Sequence, residues 1–439
     1  VLIALVAVML QFSETTLAQQ RHEEIEIDRA WKVAIIDSLC YQLNKSYVFP
    51  DVAEKLEKQL RKNLKKKYKS ITALDAFTQQ LTDDMEAIAQ DRHLWIRPAS
   101  EEQIRRSQIE EPTDEDRERY LLEQAFDNFG FERVEHLDAN IGYIKFNQFS
   151  DASIAGATAV AALNFLSNCD AMIIDLRENG GGHPNMVQLI SSYFFEESTH
   201  LNSFYVRETD EHHQFWTQSH VQGKCMADIP LFVLTSRSTF SGAEEFTYNM
   251  KNLERATIIG ETTGGGAHPT RRYVFADQKV IASVPFGRAI NPITNTNWEG
   301  TGIEPHMTVP QEEALDVAKL EAMKAIRGKY GDPRHDALLD FAIKRLEAMI
   351  KPAEVDVTIL EKWIGDYGPR HIKLEDGALY YERDERPKYK MIPITETLFC
   401  FDEYDFFMLE IETDDSGNPV ALIGIYNNGR TDRSPRNEN

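Results

Sequence analysis

Ser241 stands in "TSRSTFSGAEEF", directly after the apolar run "IPLFVLTS". A serine hydroxyl is a weak nucleophile until a base takes its proton. At the start of a helix it would have free backbone N–H groups and the positive end of the helix dipole beside it. The same residue also reads as a cap, because "SGAE" fits the S-x-x-E capping box with Glu244 reaching back. On spacing alone both readings stand. Neither a G-x-S-x-G elbow nor an S-x-x-K motif surrounds it.

Two glycine loops accompany the serine, "DLRENGGG" and "GETTGGG". Gly180, Gly181 and Gly182 let backbone N–H groups approach a ligand with no Cβ in the way. With the helix start after Phe240 they could form an oxyanion hole, which stabilises charge developing on a carbonyl oxygen. The loops are not GxGxxG, and no Walker pattern follows either strand. Among the twelve histidines, His183 and His268 sit in the glycine loops and His93 lies upstream in "DRHLWI". His212, His213 and His220 read as part of a polar loop without metal-ligand spacing, so no metal is expected. Cys40, Cys169, Cys225 and Cys400 show no CxxC pairing, which argues against a zinc site or a disulfide framework. No cofactor is implied.

The elements that must position these residues fall into three textures. From Glu24 to about Ala89 apolar residues recur at helical spacing: Ile35, Ile36, Leu39 and Leu43, then Leu56, Leu60 and Leu64, then Phe77, Leu81 and Met85. This predicts an N-terminal bundle of three or four helices. "EEQIRRSQIEEPTDEDRERY" is highly charged and reads as an exposed connection. From about residue 140 buried strands alternate with helices, with "AMIIDLR" and "IPLFVLTS" apolar enough to be covered on both faces. "RRYVFA" and "KVIASVPFG" read as a hairpin. After Pro352 period-two alternation is broken by Asp-Gly, Ser-Gly and Asn-Gly turns, which predicts a small antiparallel β domain.

The chain has 439 residues and a net charge of −23. That length accommodates two or three domains. The charge makes nucleic acid and anionic membrane surfaces poor partners. The opening "VLIALVAVMLQFSETTLAQQ" pairs a short apolar run with a small-x-small pattern, as in a secretory signal peptide, and the run is short for a membrane span. The expected organisation is a signal remnant at 1–18, a helical domain at 19–98 and a connection at 99–139. A catalytic core at 140–330, a helical linker at 331–352 and a β domain at 353–439 follow.

"AMIIDLRENGGG", "TSRSTFSGAEEFTYNMKNLERATIIGETTGGGAHP" and "NWEGTGIEPHMTV" together resemble the signature blocks of the S41 serine peptidases. The helical region with "DRHLWI" resembles the retinoid-binding-protein-like branch of that family. The resemblance implies an α/β, crotonase-like ββα core, a peptide or protein substrate and an exported location, periplasmic or secreted. Carried over by motif, Ser241 is the nucleophile. The lysine base of the processing-protease branch would fall on Gly266, which closes a Ser-Lys dyad. The tricorn-like branch implies His93 as base and Glu299 as its partner. The oxyanion donors would then be Gly242 and either Gly181 or Gly182. The chain departs from the family at Arg92, often a glycine, and at His306, usually an aspartate. The alternatives are a catalytically weak or inactive binder of apolar ligands on the same fold and, from the core alone, an acyl-CoA enzyme. The oligomeric state is not fixed by the sequence.

Overall fold

A computed structural model describes residues 25–109, 113–384 and 386–437. The expected signal segment at 1–18 lies outside the described residues. The chain is a mixed α/β protein that divides into two units: residues up to 123 with 200–216 and 265–302, and the remainder.

In the first unit three helices form where the apolar spacing predicts them: Arg29–Ser46, Pro50–Leu64 and Leu74–Ala89. Asp28 caps the first by accepting the Trp31 N–H at 2.8 Å. Pro50 opens the second, where a missing N–H costs nothing. Their apolar stripes close over a three-stranded antiparallel sheet, in which Val280–Pro285 pairs with both Trp95–Pro98 and Thr270–Phe275. The shared core runs from Ile35, Leu39 and Leu81 to Val280 and Val284. The expected hairpin is therefore present, and it serves as the floor of the helical layer.

Two elements of this unit differ from the sequence expectation. The charged stretch after Pro98 is largely helical, as Glu101–Ser107 and Asp114–Phe126, with no buried residue in either helix. A Ser100–Gln103 capping box and Arg–Glu pairs three and four residues apart support the first. His212 and His213 lie on a strand, Glu211–Trp216, rather than in a loop. It pairs antiparallel with His200–Val206, which pairs in turn with Gly287–Ile290.

The second unit is built on a six-stranded sheet. Its order is Met307–Thr308, Thr257–Gly260, Leu231–Thr235, Ala171–Asp175, Ile141–Phe146 and Phe131–Leu137. All neighbours are parallel except the last pair. Ala171–Asp175 and Leu231–Thr235 are buried at every residue, as apolar runs covered on both faces must be. One face packs on the helices Ala152–Phe165, Pro184–Ser192 and Gly242–Asn252, the other on Ala314–Ile326 and Pro333–Ile350. The glycine loop and Ser241 both leave carboxyl ends of adjacent parallel strands, where sites form in such sheets.

Beyond residue 352 the strands form two antiparallel sheets of four and five strands. Arg345 ties the helix Pro333–Ile350 to them, donating to the carbonyls of Asp402 at 2.9 Å and Tyr404 at 3.1 Å. Among the described residues all four cysteines are free, and no helix is long and apolar enough to cross a membrane.

Candidate active site

Ser241 is the N-cap of the helix Gly242–Asn252, with φ of 53° and ψ of −118°. A non-glycine residue with this backbone is strained, and the strain lifts its side chain out of the strand-to-helix turn. Both halves of the cap question have an answer in the backbone. The Glu244 carboxylate accepts the Ser241 N–H at 2.9 Å and the Thr263 hydroxyl at 2.5 Å. Glu244 is fully buried, whereas Ser241 is half-buried. The carboxylate thus holds the turn, and the serine side chain is placed at the helix mouth.

The glycine loop packs backbone to backbone on that turn. A Cβ at Gly181, where φ is +95°, would lie 2.6 Å from both the Gly242 nitrogen and the Phe240 oxygen. A Cβ at Gly242 would lie 2.9 Å from the Gly182 nitrogen. Buried Asn179 joins the parts. Its Oδ1 accepts the Gly181 N–H at 2.9 Å and its Nδ2 donates to the Phe146 carbonyl at 2.8 Å. Its own carbonyl accepts the Phe240 N–H at 3.0 Å. The Gly180 N–H goes to Asn147 and the His183 N–H to Phe149. Among the described residues, the Gly182 and Gly242 N–H groups meet no acceptor, while that of Gly181 is occupied by Asn179. Of the three candidate oxyanion donors, Gly182 and Gly242 are therefore the two that point to no protein partner.

His93 and Glu299 belong to the first unit, where they sit around a residue that the sequence leaves in a glycine loop. Asp91 Oδ1 accepts the His93 backbone N–H at 3.0 Å. Asp91 Oδ2 lies 2.8 Å from His268 Nδ1 and accepts the Tyr47 hydroxyl at 3.3 Å. Glu299 Oε2 lies 3.4 Å from the same His268 nitrogen and accepts the Ala267 N–H at 2.6 Å. Phe49 packs edge-on against the His268 ring. Burial pulls the His93 imidazole down to about 4, with His268 and Arg92 acting in the same direction and Asp91 opposing. His93 is therefore neutral at pH 7, the form that accepts a proton. Burial, and next the charge of Asp91, push the Tyr47 phenol far up, so it remains a donor.

Asp91, His268 and Glu299 offer ligand atoms within 4.8 Å of one another. Three such ligands fit the count of a catalytic zinc. Both carboxylates approach the same ring nitrogen, His268 Nδ1, and each also accepts a further protein hydrogen bond. Asp91 and His268 are the site residues that the sequence reading did not nominate. The only local signal is Asp91 two residues before His93; His268 is 177 positions away.

Known proteins decide what this geometry belongs to. Residues 140–309 match Peptidase family S41, and residues 23–128 match the N-terminal domain of Peptidase_S41 in eukaryotic IRBP. The chain belongs to peptidase family S41. It is 29% identical over 174 residues to a carboxyl-terminal-processing protease of Picosynechococcus, covering 39% of this chain and 40% of that one. It is 31% identical over 128 residues to the protein of the same name in Synechocystis, covering 29% and 28%. The chain thus spans less than half the length of these S41 relatives. A photosystem II D1 C-terminal processing protease is similar in structure with a TM-score of 0.43 at 14% identity, over 64% of this chain and 94% of that one.

The two departures, at Arg92 and His306, have local structural consequences. Arg92 contributes to the low basicity of His93. His306 exchanges two bonds with Ile258, its Nδ1 accepting the Ile258 N–H at 2.9 Å and its own N–H donating to the Ile258 carbonyl at 2.9 Å. It serves the pairing of the edge strand there.

Proposed function

We propose that the chain is an exported serine peptidase that cleaves peptide bonds through an acyl-enzyme. The observation that carries this is Ser241, strained and half-exposed, beside the open Gly182 and Gly242 N–H groups. Ser241 Oγ attacks the scissile carbonyl carbon while His93 takes its proton. The resulting oxyanion is held by Gly182 and Gly242, an interaction whose single-donor loss typically costs about a hundredfold or more in rate. His93 then protonates the leaving amine, and water activated by the same imidazole releases the acyl group. The charge of Asp91 favours the imidazolium, and Glu299, beside the same His268 nitrogen as Asp91, adds to it. The parallel sheet and its strand-end loops support a crotonase-like core, and the antiparallel sheets after residue 352 support a separate C-terminal module. The apolar opening segment supports export.

Incubation of the purified protein with a fluorophosphonate probe tests the reading. Adduct formation on Ser241, abolished in Ser241→Ala, is the expected result. A folded protein that stays unlabelled would sink it. One observation favours the second reading, a non-hydrolytic binder: an imidazole pulled down to about 4 is a weak base. That reading predicts ligand binding unchanged by Ser241→Ala and no turnover by either protein.

A further inference from the structure

The C-terminal sheets carry a cleft of about 110 Å³ walled by four tyrosines, two phenylalanines and two arginines. Among the described residues no carboxylate lines it, and the adjoining Asp432 accepts the Tyr426 hydroxyl at 3.2 Å. Tyr389 and Tyr404 meet edge-to-face at 4.8 Å, and Phe407 packs on Tyr426 at 5.2 Å. Phe406 remains 44% exposed, a large apolar side chain left at the rim. Burial, and next the hydrogen bond with Tyr389, push the Tyr404 phenol up to about 12, so it remains a donor.

The arginines set the chemistry. Arg383 and Arg386 make no salt bridge and no side-chain hydrogen bond among the described residues, in a chain whose net charge is −23. Some arginines of the fold are paired, as Arg327 is with Asp340 and Arg433 with Glu412, while Arg288 and Arg430 lie over tyrosine rings. Behind the cleft floor lies Arg370, 1% exposed, its guanidinium 5.8 Å from the Phe407 ring. It donates to Asp432 at 2.6 Å, while its Nε and Nη1 meet no acceptor in hydrogen-bond geometry. The charges acting on Tyr381 are Arg370 and Arg383, and the charge acting on Tyr404 is Arg386. Cations thus face the cleft from the strand Ala378–Arg383, from the turn after it and from the strand Arg370–Glu375.

We propose that this cleft binds the free C-terminal carboxylate of a peptide, with its last side chain against the aromatic walls and the carboxylate on Arg383 and Arg386. A planar guanidinium matches a carboxylate through two parallel N–H bonds, and aromatic walls supply apolar area to the residue bearing it. The cleft volume suits one residue. Two guanidinium groups without a salt bridge among the described residues are placed to pair with an anionic ligand. The inference stands on the C-terminal residues alone and does not depend on the peptidase reading.

The test uses the full chain carrying Ser241→Ala, so that cleavage cannot intrude. Calorimetric titration compares acetyl-Ala-Ala-Phe with a free carboxylate, its C-terminal amide, and acetyl-Glu-Ala-Phe amide. The free acid is expected to bind at least about tenfold more tightly than either amide. Arg386→Gln, an exposed change that leaves the fold alone, is expected to weaken it at least about fivefold, and Arg383→Gln likewise. Equal binding of acid and amide, binding of the internal glutamate peptide at the acid's strength, no binding of any peptide, or binding untouched by both arginine variants would each overturn the proposal.

Discussion

The Glu244 carboxylate accepts the backbone N–H of Ser241 at 2.9 Å, three residues back along the chain. Its other oxygen accepts the Thr263 hydroxyl, which itself accepts the Ile303 N–H at 2.8 Å. One buried acid therefore couples the turn bearing Ser241 to the strand-end loop beyond Gly260. Glu244→Ala would strand the Ser241 donor and the Thr263 hydroxyl without water, at about 1–3 kcal/mol per unsatisfied group. We expect a loss of about 2–4 kcal/mol in urea unfolding and slower labelling of Ser241. Glu244→Gln keeps an acceptor for Ser241 and reverses the Thr263 bond, its amide donating to the hydroxyl oxygen, so its loss should stay near 1 kcal/mol. Equal losses in the two variants would show that the charge, not the bonding, is what matters.

The Gly181 position is constrained twice, by φ of +95° and by the Gly242 nitrogen 2.6 Å from any Cβ. Neither can relax without moving the backbone of the serine turn. Gly181→Ala is expected to cut probe labelling by at least about a hundredfold, since oxyanion donors act only in place. Gly180→Ala, where a Cβ meets nothing within 4 Å, serves as the control and should label normally. Asn179→Ala should resemble Gly181→Ala in labelling, because Asn179 Oδ1 is what holds the Gly181 N–H.

These parts differ in how visible they were in the sequence. The buried strands and the apolar helices were legible because burial on one or both faces leaves a period, and Ile35, Leu39 and Ile173 all fall where it puts them. The strand Glu211–Trp216 was not, since almost every side chain on it faces water and no alternation is imposed. The helices Glu101–Ser107 and Asp114–Phe126 bury nothing, so only capping and charge spacing recorded them. Ser241 and its glycine loop were readable as a chemical unit because strand ends gather such residues. His268 was not: its contact with Asp91 depends on how Trp95–Pro98 and Thr270–Phe275 share the strand between them. No local pattern specifies that pairing.

His268 is 4% exposed and lies between Asp91 and Glu299. Removing the imidazole leaves the buried Asp91 and the partly buried Glu299 carboxylates without it, a loss that for a buried charge is typically about 3–5 kcal/mol. His268→Phe should therefore destabilise the protein at pH 7 by about that amount. Asp91→Asn added to it removes one of the stranded charges and should restore part of the loss. Additive destabilisation by the two changes would show that they do not act as one unit.

His93 makes stability depend on pH in a direction fixed by its shift. Its imidazole is near 4 in the folded chain, against an ordinary 6.5. As pH falls below 6.5 the unfolded chain takes up a proton that the folded chain refuses, so stability is lost until pH 4, below which both are protonated. At pH 7 the contribution is close to nil, and at pH 5 it is a loss on the order of 2 kcal/mol. His93→Gln lacks this titration. Urea unfolding at both values should thus show a smaller drop from pH 7 to pH 5 in the variant than in the parent, by about 2 kcal/mol. If the labelling of Ser241 depends on the same neutral imidazole, its rate in the parent should hold level from pH 7 down to about 5. It should then fall around pH 4, and His93→Gln should be slow throughout. A labelling rate that instead halves near pH 6.5 would mean that the working base is a histidine in contact with water, and would move the role away from His93.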